Sequence, residues 1–369
     1  MHRHTGERGL NIGAEGQVLL RRLGFLLPLL LPPLVVVGYR LGGAWNFLVV
    51  GWVFLVLPLV DLLVGTDTGT VAPRGQSARG WRIYFDAILL CWVPVQLGLL
   101  LFGAAVFPTV DGVLAQVGFA LSVGVVTGGV GIVVAHELGH RLGRLERALA
   151  CVLLASVAYL HFYIEHNQGH HARVATSEDP ATARPGESFW QFLPRTLYCG
   201  IVSAWELETR RLDAMGLAAL DPRNRMLWAF AAPLAALVIA GLGAGAPAVG
   251  FLLAQALVAI TLLELVNYLE HYGLRRRRAG DGRYERVGQQ HSWNSSHRLS
   301  NWMTFNLQRH SHHHAQVTRH YQELEHAPDA PQLPAGYAGM VLLALVPPLW
   351  RRVMDPRLAE WQQVHGAPS

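Results

Sequence analysis

The sequence predicts an all-α integral membrane protein: six transmembrane helices, a histidine-rich site at one face, and re-entrant or interfacial helices beside it. Three observations lead there. Of 369 residues, 51% are hydrophobic and only 15% charged, whereas a soluble domain carries about 25% charged residues. Charge-free runs long enough to cross a bilayer recur along the chain. And 18 histidines crowd into a few short stretches, two of them at the ends of such runs.

Each span follows from one run. A hydrocarbon core of about 30 Å takes roughly 20 helical residues. Leu23 to Tyr39, Leu41 to Val60, Ala87 to Val110 and Gly112 to His136 carry no charge. Their expected helices cover 20–39, 42–61, 86–108 and 112–136. Met226 to Leu263 is a further run of 38 residues without charge, broken by Gly241, Gly243, Gly245 and Pro247. It reads as a helical hairpin, with spans at 226–244 and 248–270, the second reaching Glu264 and Glu270. The first run lacks a small-residue cleavage site after it and more spans follow, so it is read as retained.

Arginine sets the topology, since the chain has no lysine. Arg3, Arg8, Arg21, Arg22, Arg74, Arg79, Arg82, the group from Arg141 onward and Arg275 to Arg278 fall on one side of the six spans; Arg40 stands alone on the other. The positive-inside rule makes the first side cytoplasmic. The apolar run 148–164 is read as re-entrant or interfacial, because a seventh crossing would separate the histidines before it from those after it. Tyr337 to Trp350, with Pro347 and Pro348, is too short to span and is expected to lie along the membrane surface. Residues 274–369 then form a cytoplasmic cap on one membrane domain, 1–369. The net charge of +5 sits in loops between apolar runs, which speaks for topology and against nucleic acid. Cys91, Cys151 and Cys199 are isolated, excluding a disulfide scaffold, Cys-ligated zinc and an iron–sulfur module.

Four stretches carry the chemistry: His136-Glu137-Leu-Gly-His140, Glu165-His166-Asn-Gln-Gly-His170-His171, Asn267-Tyr-Leu-Glu270-His271, and His310-Ser-His312-His313-His314. Residues at i and i+3 or i+4 share a helix face, which pairs His136 with His140, His166 with His170, and His310 with His313 and His314. Imidazole ligates iron, copper, nickel or zinc. Nine such groups exceed what one four- or five-coordinate ion can use, so two metals are expected. Alone, HELGH also fits the HExxH zinc-protease pattern, but that reading leaves six clustered histidines without a task.

These stretches resemble those of the membrane-bound alkane 1-monooxygenases, in the fatty acid desaturase-like superfamily of integral membrane non-haem diiron enzymes. The likeness runs from Pro58 and Asp61 to Met354-Asp355-Pro356. Its most specific parts are EHNQGHH with Val174 to Pro180 after it, NYLEHYGL from Asn267 to Leu274, and His291-Ser-Trp-Asn294-Ser. Desaturases show HxxxH and two HxxHH boxes, whereas this chain has HxxxHH and the extra EHYG. One departure is His312, where the family has an acidic residue. At i+2 from His310 it faces away from the ligand stripe and is expected to be tolerated.

The resemblance implies two irons held by His136, His140, His166, His170, His171, His271, His310, His313 and His314, with O2 as co-substrate and an n-alkane as the apolar substrate, hydroxylated at its terminal methyl. It also implies a bacterial inner membrane with the site toward the cytoplasm, lipid around the spans, and electrons from a rubredoxin with its reductase and NAD(P)H upstream. Arg275 to Arg278 are either a docking patch for that acidic carrier or a topology and lipid signal. Other apolar substrates (an alkylbenzene methyl group, a fatty acid), a desaturase, a zinc intramembrane protease and a metal transporter remain as alternatives.

Among the neighbours, Glu270 and Glu137 are the candidate catalytic carboxylates, Glu270 first because it precedes a lone histidine. Glu165 and Asp179 are expected to bond imidazole N–H groups. Glu264 and, less strongly, Asp61 stand out because an ionisable group near a membrane usually has a task. The glycines Gly124, Gly128, Gly129 and Gly131 are read as helix-packing positions. Trp52 is a candidate cap on a substrate channel.

Overall fold

In hydrocarbon every backbone N–H and C=O must be satisfied within its own segment, so apolar runs become helices. The computed structural model, which describes residues 13–71, 78–278, 280 and 282–365, is helical, with three isolated bridges and no strand among those residues. Arg3, Arg8, Arg74 and the side chain of Arg79 lie outside what is described. Among the described residues five helices are long and apolar enough to cross a membrane: Gly43–Val64, Gly80–Thr109, Val113–Gly139, Arg225–Ala244 and Ala246–His271. A bent pair, Glu15–Gly24 with Leu27–Leu41, makes a sixth. Its 45° bend falls at the break just before Pro28, which removes a backbone donor, an ordinary cause of a sharp kink. The all-α membrane class expected from the sequence is what the chain adopts.

The fourth span is the hub. In its most apolar stretch 83% of residues are buried, against 17–44% for the other four unbroken spans. Its glycines explain the close approach of the sixth span: a Cβ on Gly124 would lie 2.5 Å from Val258 Cβ, and one on Gly128 2.5 Å from Ala259 Cα. Gly131 meets Gln96 of the third span in the same way. Gly129 differs, with open space beside it.

Where the sequence has its ambiguous run, no described helix is long and apolar enough to cross a membrane. Helix Arg144–Ser156 buries Ala150, Leu153 and Leu154 and exposes Leu145 and Val152. The chain then breaks at Ala158, whose φ is 55°, and returns through Phe162–Ile164 to the second histidine stretch. Near the C-terminus the run 337–350 divides into two elements. Tyr337–Ala344 and Pro347–His365 are separate helices. The first buries Tyr337, Ala338, Met340, Val341 and Ala344 and packs against the sixth and second spans. Leu342 on its other face is 43% exposed.

Helix Phe189–Asp213 has no counterpart in the charge-free runs. It opens with a capping box in which Ser188 and Gln191 bond each other's backbone, and buries Phe189, Phe192, Thr196, Ala204, Glu208 and Leu212. Three π-helical turns also matter for function, because the extra residue re-aims side chains: Trp52–Val56, Thr127–Gly131 and Glu165–His170.

Candidate metal centre

Four helix ends deliver the nine histidines to one place. The fourth span brings His136 and His140, the π-turn His166, His170 and His171, the sixth span His271, and the short helix His310–Ala315 the rest. They sort into two groups, His136, His140, His166, His171 and His313 in one, His170, His271, His310 and His314 in the other, with the donor atoms of each group within 4.8 Å of one another. The groups touch: the His171 and His314 rings lie 4.5 Å apart.

The spacing fits metal ligation. Two nitrogens each about 2.1 Å from one ion, at tetrahedral or octahedral angles, are about 3.0–3.4 Å apart. His140 Nε2 is 3.1 Å from His166 Nε2 and 3.2 Å from His171 Nε2, and His313 Nε2 is 3.4 Å from His171 Nε2. In the second group His310 Nε2 is 3.1 Å from His271 Nε2 and 2.9 Å from His314 Nε2. His136 Nε2 and His170 Nε2 are buried without a protein hydrogen-bond partner. An orphaned buried polar atom costs about 1–3 kcal/mol, which an ion at the centre of each group relieves.

The protonation state also suits a ligand, which must be neutral imidazole. Burial, reinforced by neighbouring histidines, pushes His166, His171, His310, His313 and His314 well below the usual imidazole range and His140 down to about 4. For His170 burial acts the same way, but Asp179 Oδ2, 2.9 Å from its Nδ1, outweighs it and raises the value. Burial also takes His161, beside the site, down to about 4. Such groups bind fewer protons folded than unfolded between pH 6.5 and 4, so stability falls with pH across that window. For the metal-free protein, His140 and His161 together should cost about 6 kcal/mol by pH 4, at about 1.4 kcal/mol per group per unit. Thermal unfolding of the chelator-treated protein tests this; a melting temperature flat from pH 7 to 5 refutes it.

The carboxylates divide. Glu270 Oε2 lies 3.2 Å from His310 Nε2, while its Oε1 accepts a 2.7 Å bond from the Tyr337 hydroxyl. Glu270 thus stands beside the second group, and Tyr337 fixes it, a partner the sequence did not suggest. Glu137 is a correction. It turns from the histidines to Arg141 Nη2 at 2.8 Å and accepts from the Tyr321 N–H at 3.2 Å, because a side chain one residue past His136 points about 100° around the helix from the ligand stripe. Glu165 accepts from Arg173 Nη2 at 2.9 Å and is pushed up to about 7 by burial and then by Asp179. Glu264 accepts from Tyr159, Thr196 and Asn267. Asp61 accepts from the Leu299 and Ser300 backbone at 2.7 and 3.0 Å and so anchors helix Arg298–Met303 to the second span.

His312 is buried outside both groups, its Nδ1 accepting from the Glu325 N–H at 2.7 Å. The stretch after His291 is a clamp: Trp293 N donates to Glu270 O at 2.8 Å, Ser292 Oγ lies 3.5 Å from His271 Nδ1, and Asn294 Oδ1 accepts from the Ser311 N–H at 3.0 Å. It ties the end of the sixth span to the last histidine helix. Its own motif, with side chains suited to loop hydrogen bonding, was the signal.

An apolar cavity reaches the centre from the membrane side, ending at His136, His166, His310 and Glu270. Its walls include Val53 and Phe54 of the second span, Gly129 of the fourth and Leu262 of the sixth. Trp52 is 37% exposed and is not part of that lining; the π-turn gives the cavity its neighbours instead. The glycine expectation therefore holds for Gly124, Gly128 and Gly131 and not for Gly129.

Comparison with known proteins agrees with this geometry. Residues 111–344 match the fatty acid desaturase family model. The chain is 47% identical over 317 residues to alkane 1-monooxygenase 1 of Pseudomonas aeruginosa, covering 85% of this chain and 83% of that protein. It is 38% identical over 334 residues to the alkane 1-monooxygenase of Ectopseudomonas oleovorans, covering 86% and 82%. To the xylene/toluene monooxygenase hydroxylase component of Pseudomonas putida it is 27% identical over 342 residues, covering 90% and 88%. With nine histidines gathered at the head of an apolar cavity, the chain belongs to the fatty acid desaturase family and, within it, to the alkane 1-monooxygenases.

Proposed function

We propose that this chain hydroxylates the terminal methyl of n-alkanes, R–CH3 + O2 + 2e− + 2H+ → R–CH2OH + H2O, at two non-haem irons. The observation that carries it is a pair of imidazole groups at ligand spacing closing an apolar cavity, which offers a substrate without polar groups recognition by shape alone. His136, His140, His166, His171 and His313 would hold one ion; His170, His271, His310 and His314, with Glu270 beside them, the other. Iron, when bound, supplies the redox chemistry that activates O2. The chain's own part is positioning. The apolar walls exclude water and admit only the chain end, Tyr337 holds the Glu270 carboxyl against the second group, and Asp179 fixes the tautomer of His170 by taking its Nδ1–H. The family resemblance supports a bacterial inner membrane with the site toward the cytoplasm.

Electrons come from outside, and rubredoxin is the proposed carrier. Arg276 is committed to structure, its Nε and Nη1 donating to Glu285 O and Ala172 O. Arg275 and Arg277 are exposed and free their charge for docking. Changing both to Gln is expected to raise the KM for rubredoxin several-fold and to flatten its salt dependence, with the KM for alkane unchanged. Equal rubredoxin kinetics in wild type and variant would remove this patch from the docking surface.

The defining experiment measures iron and products of the purified protein given rubredoxin, its reductase, NADH and octane, hexadecane or p-xylene. Two irons per chain and 1-octanol or 1-hexadecanol are expected. Preference for the xylene methyl would favour the reading suggested by the 27% relative; one zinc per chain would end the proposal.

A further inference from the structure

The apolar cavity does not meet every need of the proposed reaction, which consumes two protons and forms one water. Neither crosses a hydrocarbon wall readily. A second, separate cleft lined by charged side chains touches the centre at His140. It is lined by Arg82 and Asp86 at the start of the third span, His140, Arg141 and Glu146 after the fourth, and His320. His140 and His171 are the two of the nine histidines that are not fully buried, and His140 forms part of this cleft.

The cleft is built for water. Asp86 at its mouth is 35% exposed and faces Arg141 Nη2 at 3.3 Å, Arg82 Nε at 3.7 Å and His320 Nδ1 at 3.8 Å. Arg141 Nη1 donates to His320 Nε2 at 2.7 Å, leaving that imidazole its proton on Nδ1. Both His320 Nδ1 and Arg141 Nε are buried without a hydrogen-bond partner. A bound water needs two to four polar partners, and these atoms with the Asp86 carboxylate provide them. His140 Nε2 is committed to its group at 3.1 and 3.2 Å, so the opposite ring edge is the one left for the cleft.

We propose that this cleft is the aqueous port of the centre: protons enter and product water leaves past His140, with Asp86 as the ionisable group at the mouth. The assignment rests on the hydroxylation reading above, and its test separates the two. In metal-free protein, diethyl pyrocarbonate should modify His140 ahead of the buried His310 and His314, and Thr318→Trp, which fills the cleft rim, should suppress that modification at least fivefold. In the iron-loaded enzyme Thr318→Trp and Asp86→Asn should each lower kcat about tenfold and enlarge the solvent isotope effect, leaving alkane KM and iron content unchanged. Asp86→Glu should recover most of kcat. His140 no more reactive than His310, or a plugged cleft with wild-type kcat and isotope effect, overturns the port. Absence of any hydroxylation by the unmodified enzyme counts against the reaction instead, and the modification pattern still reads the port.

Discussion

Replacing His310 with alanine is expected to lower alkane turnover about 10³-fold or more, since loss of even an outer partner of a metal ligand costs about 10–100-fold. Bound iron should fall from two toward one per chain. His310 is the right probe because its Nε2 stands nearest the middle of the second group, 3.1 Å from His271, 2.9 Å from His314 and 3.2 Å from Glu270 Oε2. Removing it takes the shared neighbour of three donors. His312→Ala is the matched control. It lies on the same short helix but outside both groups, and its loss costs one hydrogen bond to the Glu325 N–H, about 1 kcal/mol of stability. Iron content by elemental analysis and 1-alkanol by chromatography decide it. Two irons retained in the His310 variant, or iron lost equally from the His312 variant, would mean that the two groups do not hold the metals.

Why one histidine of this run enters a group and its neighbour does not was already legible, because helix periodicity assigns faces without knowledge of the fold. The same logic made the spans and the gathering of the four histidine stretches readable: charge decides what crosses, and parity decides which helix ends share a side. What remained hidden depends on partners distant in sequence. Glu137 is drawn to Arg141 and to the Tyr321 N–H, 184 residues away. Asp61 is occupied by the Leu299 N–H, 238 residues on. That Tyr337–Ala344 packs against the sixth span is not marked in its own sequence. Helix Phe189–Asp213 lacked a charge-free run, although the Ser188 and Gln191 capping box and the apolar spacing of Phe189, Phe192 and Ala204 marked it. Trp52 sits on a π-turn, and one inserted residue in a helical turn changes which side chain faces inward.

Gly129 was hidden for a related reason, and the second large effect follows from it. Lengthening its side chain through Ala, Val and Leu should shorten the longest alkane hydroxylated, step by step. Hexadecane turnover should be lost first, dodecane next and octane last, with at least a tenfold change in the octane-to-hexadecane ratio for Gly129→Leu. The four glycines look alike in sequence, yet Cβ atoms on Gly124, Gly128 and Gly131 would collide with Val258, Ala259 and Gln96, whereas one on Gly129 meets nothing within 4 Å and Gly129 borders the cavity. It precedes His136 by seven residues, about 10 Å along the helix, so an added side chain stands partway up the passage and bounds the depth below it. The Cβ itself meets nothing within 4 Å, so the Ala step leaves the packing untouched, while Gly128→Ala forces the fourth span against the backbone of the sixth and should destabilise by about 1–3 kcal/mol. Product profiles together with melting temperatures separate the two effects. A Gly129 series that loses stability in step with activity, at a constant chain-length ratio, would show that this glycine packs like the others. A ratio that moves at constant melting temperature ties the cavity seen in the fold to the substrate it selects.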